Sequence, residues 1–427
     1  MEETKGQETP SESGLRQGHF IPFRRTDLLR MCLEDGALDE AGRKGFGEFA
    51  EVLAALFHHE YHARLETLKD SFAPFNPDTE TRVAARVSDG KRDEAERQLL
   101  SMLREVLTQA NFHEMSREEM RTLLEADPGF KMRLEVDLDD YAEILVFRRG
   151  RRTERETLKS FMGLRSREIE VALYDRVVVY LRLKGLEHFE AKKRKPVGFT
   201  PGVSSLKLFQ NVPENGLEML FPNARMRMRT VDKLMLALPA TLGGFGVVTK
   251  LSGPLLIFLG VIGVWLGLGG QDREVSAKEL VALALGILAL VMFTNRMLGK
   301  VKSRRVAYLK YLSENLYFKV LDNSAGVLHH LIDAAEEEDV KEAILAYYFI
   351  LARDRGFTEI ELDREVERWF REKHGTELDF EVDDAMKKLV RLELASVEEG
   401  KLRVLSLDKA KQRIDYLWDN VFSYNSA

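Results

Sequence analysis

Two uncharged apolar segments lie close together just past the middle of the chain. Residues 251–268 read LSGPLLIFLGVIGVWLGL, and residues 280–294 read LVALALGILALVMFT. About 18 helical residues span ~27 Å, which is close to the hydrocarbon thickness of a bilayer. The pattern therefore predicts a transmembrane helical hairpin over residues 251–298. The alternative is a buried helical hairpin in a soluble domain, although soluble cores seldom contain two such segments side by side.

Small residues in the two segments indicate that the predicted helices pack against each other. Gly263 and Gly267 form a GxxxG pattern, and Ala282 and Gly286 form a small-xxx-small pattern. Both patterns let helix backbones approach closely in lipid. Basic residues stand on both outer flanks and are sparse in the link, so the positive-inside rule predicts a multi-pass protein with both termini cytoplasmic.

Basic residues near the predicted hairpin are candidates for binding lipid headgroups. Arg225, Arg227 and Arg229 alternate with methionines, so in an extended conformation they share one face. Such residues attract anionic headgroups next to a bilayer, whereas the plainer interpretation is that they only set topology. The candidate set is Arg225, Arg227, Arg229, Lys233, Arg296, Lys300, Arg304 and Arg305.

Composition limits the classes of partner. The formal net charge is -6, so no global positive field points to nucleic acid. Cys32 is the single cysteine, which rules out an intrachain disulfide. Residues 1–19 are polar and lack the apolar core of a signal peptide, and we expect a disordered tail there.

The remaining sequence divides into regions of different periodicity. Helical spacing dominates the first region, β-branched runs dominate the second, and the C-terminal order of three helices and a hairpin with its turn at 398–401 is typical of a winged helix. Residues 335–427 hold roughly 23 acidic and roughly 15 basic residues, an excess that repels DNA and favours a protein-binding winged helix. The predicted regions are a helical region at 20–125, an α+β module at 126–232, an interfacial, re-entrant or spanning segment at 233–250, the hairpin at 251–298, a long helix at 299–335 and a winged-helix-like domain at 336–427.

Two clusters could bind a metal ion. His58 and His62 are four residues apart on a predicted helix, a spacing that metal ligands use, but the pattern is not HExxH. Carboxylates at Asp137, Asp139 and Asp140 could hold a hard cation, or could simply fill turns. If both clusters met, the chain could be a membrane-bound metal-dependent hydrolase.

Three stretches resemble the transmembrane protein 143 family, a group without known activity. They are FIPFRRTDLL at 20–29, LKLFQNVPENGLEMLFPNARMRMRTVDKL at 206–234 and NLYFKVLDNSAGVLHHLIDAAEEEDVKEAILAYYFIL at 315–351. The resemblance implies a two-span membrane protein with a domain of unknown function, and it supplies no catalytic residues. The acidic N-terminus favours a bacterial inner-membrane member.

The sequence thus predicts a mixed α+β membrane protein that acts without catalysis. We expect a membrane-anchored scaffold or regulator that docks cytoplasmic protein partners or itself, and that contacts the bilayer and no nucleic acid. No cofactor motif is present, because the glycine-rich stretches lack a phosphate-binding framework. The metal-dependent hydrolase is the alternative.

Overall fold

The computed structural model describes residues 20–77, 89–125, 132–160, 165–194, 200–228 and 318–422, with single helical positions between Val281 and Val306. The chain is a mixture of helix and sheet and divides into two units. The larger unit contains residues 1–126, 137–223 and 319–427, and the smaller contains residues 127–136 and 224–318.

Helices and strands are numbered here in chain order. The helices are α1 (Arg25–Glu34), α2 (Glu40–Phe72), α3 (Asp89–Gln109), α4 (Arg117–Glu125), α5 (Leu186–Ala191), α6 (Ala325–Arg353), α7 (Glu359–His374), α8 (Val382–Arg391) and α9 (Leu407–Asp419). The strands are β1 (His113–Glu114), β2 (Met132–Glu135), β3 (Tyr141–Ser160), β4 (Arg165–Leu183), β5 (Ser204–Pro213), β6 (Arg225–Met228), β7 (Val320–Asn323), β8 (Ala395–Glu398) and β9 (Lys401–Val404).

An antiparallel sheet forms one wall of the larger unit, with strand order β1-β3-β4-β5-β7. Its central residues, Val177 to Tyr180, are all buried, so both faces of the sheet are covered at this point. The register places Arg149 of β3 directly opposite Arg176 of β4. That pairing brings two cationic side chains together.

Helix α6 is the centre of the larger unit. Its residues from Glu338 to Ile350 are all buried, and α1, α2, α3, α7 and α8 each pack against it. On the α2 side, the ring of Phe49 stacks on Tyr347 with 4.2 Å between ring centroids. A helix that is enclosed on every side needs a partner for each polar group that it carries.

The C-terminal elements follow the order of a winged helix. Helix α6 is followed by an isolated bridge between Phe357 and Leu402, then by α7, α8 and the β8–β9 hairpin. Thr358 and Glu361 form a reciprocal capping box that fixes the start of α7. Gly375 ends that helix in the left-handed conformation.

The smaller unit contains the antiparallel β2–β6 pair, in which Leu134 lies opposite Met226 and Glu135 opposite Arg225. Arg225 and Arg227 therefore lie in extended backbone.

The predicted membrane hairpin requires correction. No helix of sufficient length and apolar character to cross a bilayer occurs in the part of the chain that the structure describes. Residues 251–280 and most of 281–298 lie outside the described residues, while Val281, Leu288 and Met292 are helical and exposed. The membrane class, the multi-pass inner-membrane location and the topology deduced from flanking charge are accordingly withdrawn.

The predicted long helix at 299–335 also differs from the structure. Strand β7 interrupts it at Val320–Asn323, and α6 then runs without a break from Ala325 to Arg353. Ser324 has a φ of 51°, which turns the chain between strand and helix. The strand forms because β5 offers it a pairing edge, which helical periodicity cannot reveal.

Gly150 provides a stability test for the strand that carries Arg149. Its φ is +66°, and an added Cβ would collide with the carboxylate of Asp175. We expect Gly150→Ala to lower the free energy of unfolding by about 1–3 kcal/mol in urea titrations. Gly47→Ala, in helical conformation and with no atom within 4 Å of an added Cβ, should raise it by about 0.5–1 kcal/mol. Equal effects of the two changes would refute the strain at Gly150.

Candidate functional site

A network of buried charges lies on α6 and is called the ionic network here. Its members are Glu338, Asp339, Lys341 and Glu342 of α6 together with Lys388 of α8. The spacing of the α6 residues brings charges three and four apart onto neighbouring parts of the helix surface. None of the four α6 members exceeds 5 % exposure, so each must be neutralised inside the protein.

One half of the ionic network holds the N-terminal segment. Lys341 Nζ bonds to Glu338 Oε1 at 2.5 Å and donates to the carbonyl of Ile21 at 2.9 Å. The Ile21 amide in turn donates to Glu338 Oε2 at 3.1 Å. The segment at Ile21 is thus held by both of its backbone polar groups.

The other half of the ionic network holds α8. Lys388 Nζ lies 2.5 Å from Glu342 Oε2 and 2.7 Å from Asp339 Oδ1. Tyr61 of α2 donates its hydroxyl proton to Asp339 Oδ2 at 2.6 Å. Asn111 lies 3.4 Å from both Glu338 and Glu342 and bridges the two halves.

Burial and neighbouring charges shift the pKa values of Glu342 and Lys388 in this half of the ionic network. It raises the pKa of Glu342 to about 7, although the charge of Lys388 opposes the shift. Burial alone would lower the pKa of Lys388, but Glu342 and Asp339 outweigh it and the pKa is raised. Lys388 therefore stays charged at neutral pH, while Glu342 titrates close to it.

A cleft of about 320 Å³ opens beside the ionic network. Its walls come from the N-terminal segment, from the sheet and from the exposed end of α6. All three stretches used above for the family resemblance contribute to it. The lining residues used below are Phe20, Phe112, Arg149, Arg176, Asp333, Glu337 and Lys341.

The two sheet arginines of this cleft hydrogen-bond to backbone carbonyls and form no ion pair with a described carboxylate. Arg149 donates to the carbonyl of Ala110 at 3.0 Å, and its guanidinium lies 4.4 Å from the ring centroid of Phe20 and 4.6 Å from that of Phe112. Arg176 donates to the backbone carbonyl of Asp175. Burial, the largest cause, lowers the pKa of Arg149 to about 10; the charge of Glu338 opposes this shift and that of Arg176 adds to it.

The histidines proposed as metal ligands lie on the surface. His58 Nδ1 is 3.0 Å from Glu336 Oε2, and the His58 side chain is 71 % exposed. His62 is exposed as well. Within the described ranges, neither belongs to a group of three side chains close enough to share a metal ion.

The predicted aspartate cluster is neutralised by protein groups. Asp140 is fully buried and is bonded by Lys192, by His188 and by Asn223, the last at 2.7 Å. Asp137 is bonded by Lys192 and by Arg194, each at 3.1 Å. This arrangement closes a turn, and it does not contain the two histidines. The metal-dependent hydrolase therefore gains no support.

The described group that has the spacing for a metal is Asp363, Glu367 and Asp379 on and after α7. Burial and the charge of Asp379 raise the pKa of Asp363. Three carboxylates alone do not define a metal site, and we assign none.

Most of the candidates tied to the membrane prediction lie outside the described residues. Among the headgroup candidates, Arg225 and Arg227 are in β6, while Arg296 is helical and exposed. The residues that fall outside are Arg229, Lys233, Lys300, Arg304 and Arg305, and the packing residues Gly263, Gly267, Ala282 and Gly286.

Helix α8, the third helix of the winged-helix-like region, has two basic side chains turned toward the protein. Lys388 is taken up by the ionic network, and Arg391 forms two bonds of 3.0 Å to Glu60 of α2. Asp383 and Asp384 occupy its first turn. At the position of the DNA-recognition helix of a helix-turn-helix, α8 has Lys388 and Arg391 bonded to protein carboxylates, while its exposed Lys387 is paired with Asp384.

An aromatic surface lies where α9 meets α2, and it is called the aromatic patch. Trp418 and Phe422 both approach the edge of His59, with ring centroids 6.3 Å and 5.6 Å away. Trp418 is 44 % exposed and Phe422 is 63 % exposed. Large aromatic side chains with this exposure are typical of recognition surfaces.

Sequence reasoning missed the ionic network and the arginine pair. The run EEEDVKE at 336–342 looks like a solvated stretch, although the apolar residues on both sides of it hint at burial. Arg149 and Arg176 come together only through strand register, for which the sequence carries no local signal.

Comparison with known proteins gives one family match. Residues 174–326 match the family described as "Protein of unknown function (DUF3754)", which covers little more than a third of the chain. The matched region includes Arg176, β5 and β7 of the cleft-bearing sheet. No solved structure matches the chain. The match assigns no activity, and the resemblance to the transmembrane protein 143 family stays a hypothesis.

Lys388 provides a direct test of the ionic network. Lys388→Met should lower the free energy of unfolding by about 3–5 kcal/mol, because it leaves two buried carboxylates without their cation. Lys387→Met, at the exposed neighbouring position, should change it by less than about 0.5 kcal/mol. Urea unfolding followed by circular dichroism measures both. If Lys388→Met were no more harmful than Lys387→Met, the network would contribute nothing to stability.

Glu342 predicts a pH dependence of stability. Its pKa is about 7 in the folded chain against an ordinary 4.5, so the folded state holds the proton more tightly. The stability from this group is therefore full below pH 4.5 and is lost as pH rises through about 7. Glu342→Gln should remove that part of the slope in urea unfolding between pH 5 and pH 8, roughly the interval that the shift spans. The exposed Glu372→Gln should keep it, and identical slopes for the wild type and Glu342→Gln would contradict the shift.

Proposed function

We propose that this chain is a non-enzymatic docking protein whose winged-helix region binds a protein partner with a basic surface. The observation that carries the proposal is the exposed aromatic patch on an acidic C-terminal region. Three features of the described residues support it, and they concern nucleic acid, catalysis and charge in turn.

Nucleic acid is a poor partner for this winged helix. Lys388 and Arg391 of α8 face Asp339, Glu342 and Glu60, so they are not available to phosphates, and the exposed Lys387 is paired with Asp384. The aspartates of its first turn would repel a DNA backbone. Both features disfavour DNA binding by this region.

Catalysis finds little support in the described part of the chain. The candidate metal ligands are separated into groups with their own protein partners, as His58 with Glu336 and Asp140 with Lys192 show. A hydrolase would need those groups to converge on one pocket. The cleft contains neither cluster.

Charge selects the kind of partner. The C-terminal region holds roughly 23 acidic and roughly 15 basic residues, so its field attracts a basic surface. The aromatic patch supplies the apolar anchors on which affinity usually depends, because Trp and Phe bury large areas with little loss of side-chain entropy. The acidic residues would steer a basic partner toward this region. The aromatic rings of the patch would slow its dissociation.

In-cell photo-crosslinking tests this proposal. A photoreactive phenylalanine analogue at position 418 should yield a discrete covalent adduct with one basic protein, in a yield that falls as salt rises. The same analogue at Val397, which is 54 % exposed on the wing, should give no such adduct. Equal adducts at both positions, or none at position 418, would refute docking at the aromatic patch.

A further inference from the structure

The cleft contains a pair of arginines whose arrangement is unfavourable without a ligand. Arg149 and Arg176 face each other across β3 and β4, and like charges directly opposite each other in a sheet destabilise it. Both side chains are at least half-buried, so water screens their repulsion poorly. A bound negative group would offset the repulsion between them.

Neither guanidinium forms an ion pair or hydrogen bond with a carboxylate among the described residues, although the charges of Asp175, Glu337 and Glu338 offset part of the repulsion at Arg149. Arg149 bonds to the carbonyl of Ala110, and Arg176 bonds to the backbone carbonyl of Asp175. The nearby carboxylate of Asp175 is bonded to Arg152, with 2.5 Å between Oδ1 and the guanidinium nitrogen. An arginine carries five N–H donors, so most donors of the pair are left for a ligand.

The aromatic rings hold one guanidinium ready for binding. Arg149 lies between Phe20 and Phe112, each within 4.6 Å of its guanidinium carbon. The two rings fix the plane of the guanidinium, so little side-chain entropy remains to be lost when a ligand binds. Its single backbone bond sets the direction of the fork.

We propose that the cleft binds a small molecule through a phosphate group, which Arg149 and Arg176 grip together. Two adjacent forks match the two charges and the several oxygens of a phosphate, whereas one carboxylate would neutralise only one of them. The volume of about 320 Å³ suits a small phosphorylated molecule, not a polymer.

The wall of the cleft that lies on α6 determines which functional groups the rest of the ligand can have. Asp333 and Glu337 line the cleft from α6, four residues apart on one face of the helix. Carboxylates accept hydrogen bonds, so this wall suits hydroxyl or ammonium groups and disfavours a second phosphate. The ligand is therefore a phosphomonoester with a polar, non-anionic body.

Calorimetry on the purified full-length chain tests the site. The probes are inorganic phosphate and glycerol phosphate, with sodium chloride at matched ionic strength as the blank. We expect binding at millimolar or lower concentration, with glycerol phosphate tighter than inorganic phosphate because its hydroxyls reach the α6 wall. Absence of heat with both phosphate probes would overturn the proposal.

Three variants separate binding from folding. Arg176→Gln should weaken glycerol phosphate by at least ~10-fold, the loss expected for a charged hydrogen bond. Arg149→Lys keeps the charge but removes the fork, and a similar loss is expected there. Arg151→Gln, on the same strand but paired with Glu214 at 3.1 Å, should bind like the wild type.

Thermal unfolding without ligand distinguishes a binding arginine from a structural one. Arg176→Gln relieves the repulsion of the pair, so its melting temperature should equal or exceed that of the wild type, and phosphate should no longer raise it. A lower melting temperature combined with an undiminished response to phosphate would assign Arg176 a structural role and overturn the site.

Discussion

The ionic network is the constraint on which the larger unit depends. A buried ion pair adds little net stability, but removing one partner leaves an uncompensated charge and is strongly unfavourable. In this chain Lys341 and Glu338 require the backbone of Ile21, while Lys388 must reach Asp339 and Glu342. The segment at Ile21 and helix α6, more than 300 residues apart in sequence, must therefore pack against each other. The ionic network therefore determines which segments pack together, and it adds little to the free energy of unfolding.

This constraint accounts for the charges of α8 in the C-terminal region, whose elements follow the order of a winged helix. In a DNA-binding helix-turn-helix, the recognition helix lies in the major groove and its side chains contact base edges. Here the two cations at the end of α8 serve internal carboxylates, Lys388 within the ionic network and Arg391 with Glu60. The remaining outward surface is acidic near Asp383 and aromatic at Trp418. The same order of helices therefore suits a different class of partner, because Lys388 and Arg391 bind carboxylates inside the protein.

Local chemistry made part of this fold predictable. The apolar run SSLKLFQNVP became β5, and the hairpin turn lies at Glu398–Lys401 as its glycine indicates. Non-local pairing explains what sequence reasoning could not supply. A run such as EEEDVKE is buried only because Lys388 and Ile21 arrive from elsewhere, and β7 is a strand only because β5 pairs with it. The membrane prediction was wrong, since no helix long and apolar enough to cross a bilayer occurs among the described residues.

The cleft and the ionic network share residues, which ties the two proposed activities together. The ring of Phe20 lies over Arg149, with 4.4 Å between the centroid and the guanidinium carbon, and also 5.0 Å from Lys341 Nζ. Lys341 in turn holds Glu338, and Asn111 connects Glu338 to the pair of Glu342 and Lys388. A ligand gripped by Arg149 binds a side chain that Phe20 holds, and the same ring contacts Lys341, so the cleft is joined to the ionic network through one residue. Linkage is reciprocal, so any factor by which the ligand changes the affinity for a partner is also the factor by which the partner changes the affinity for the ligand.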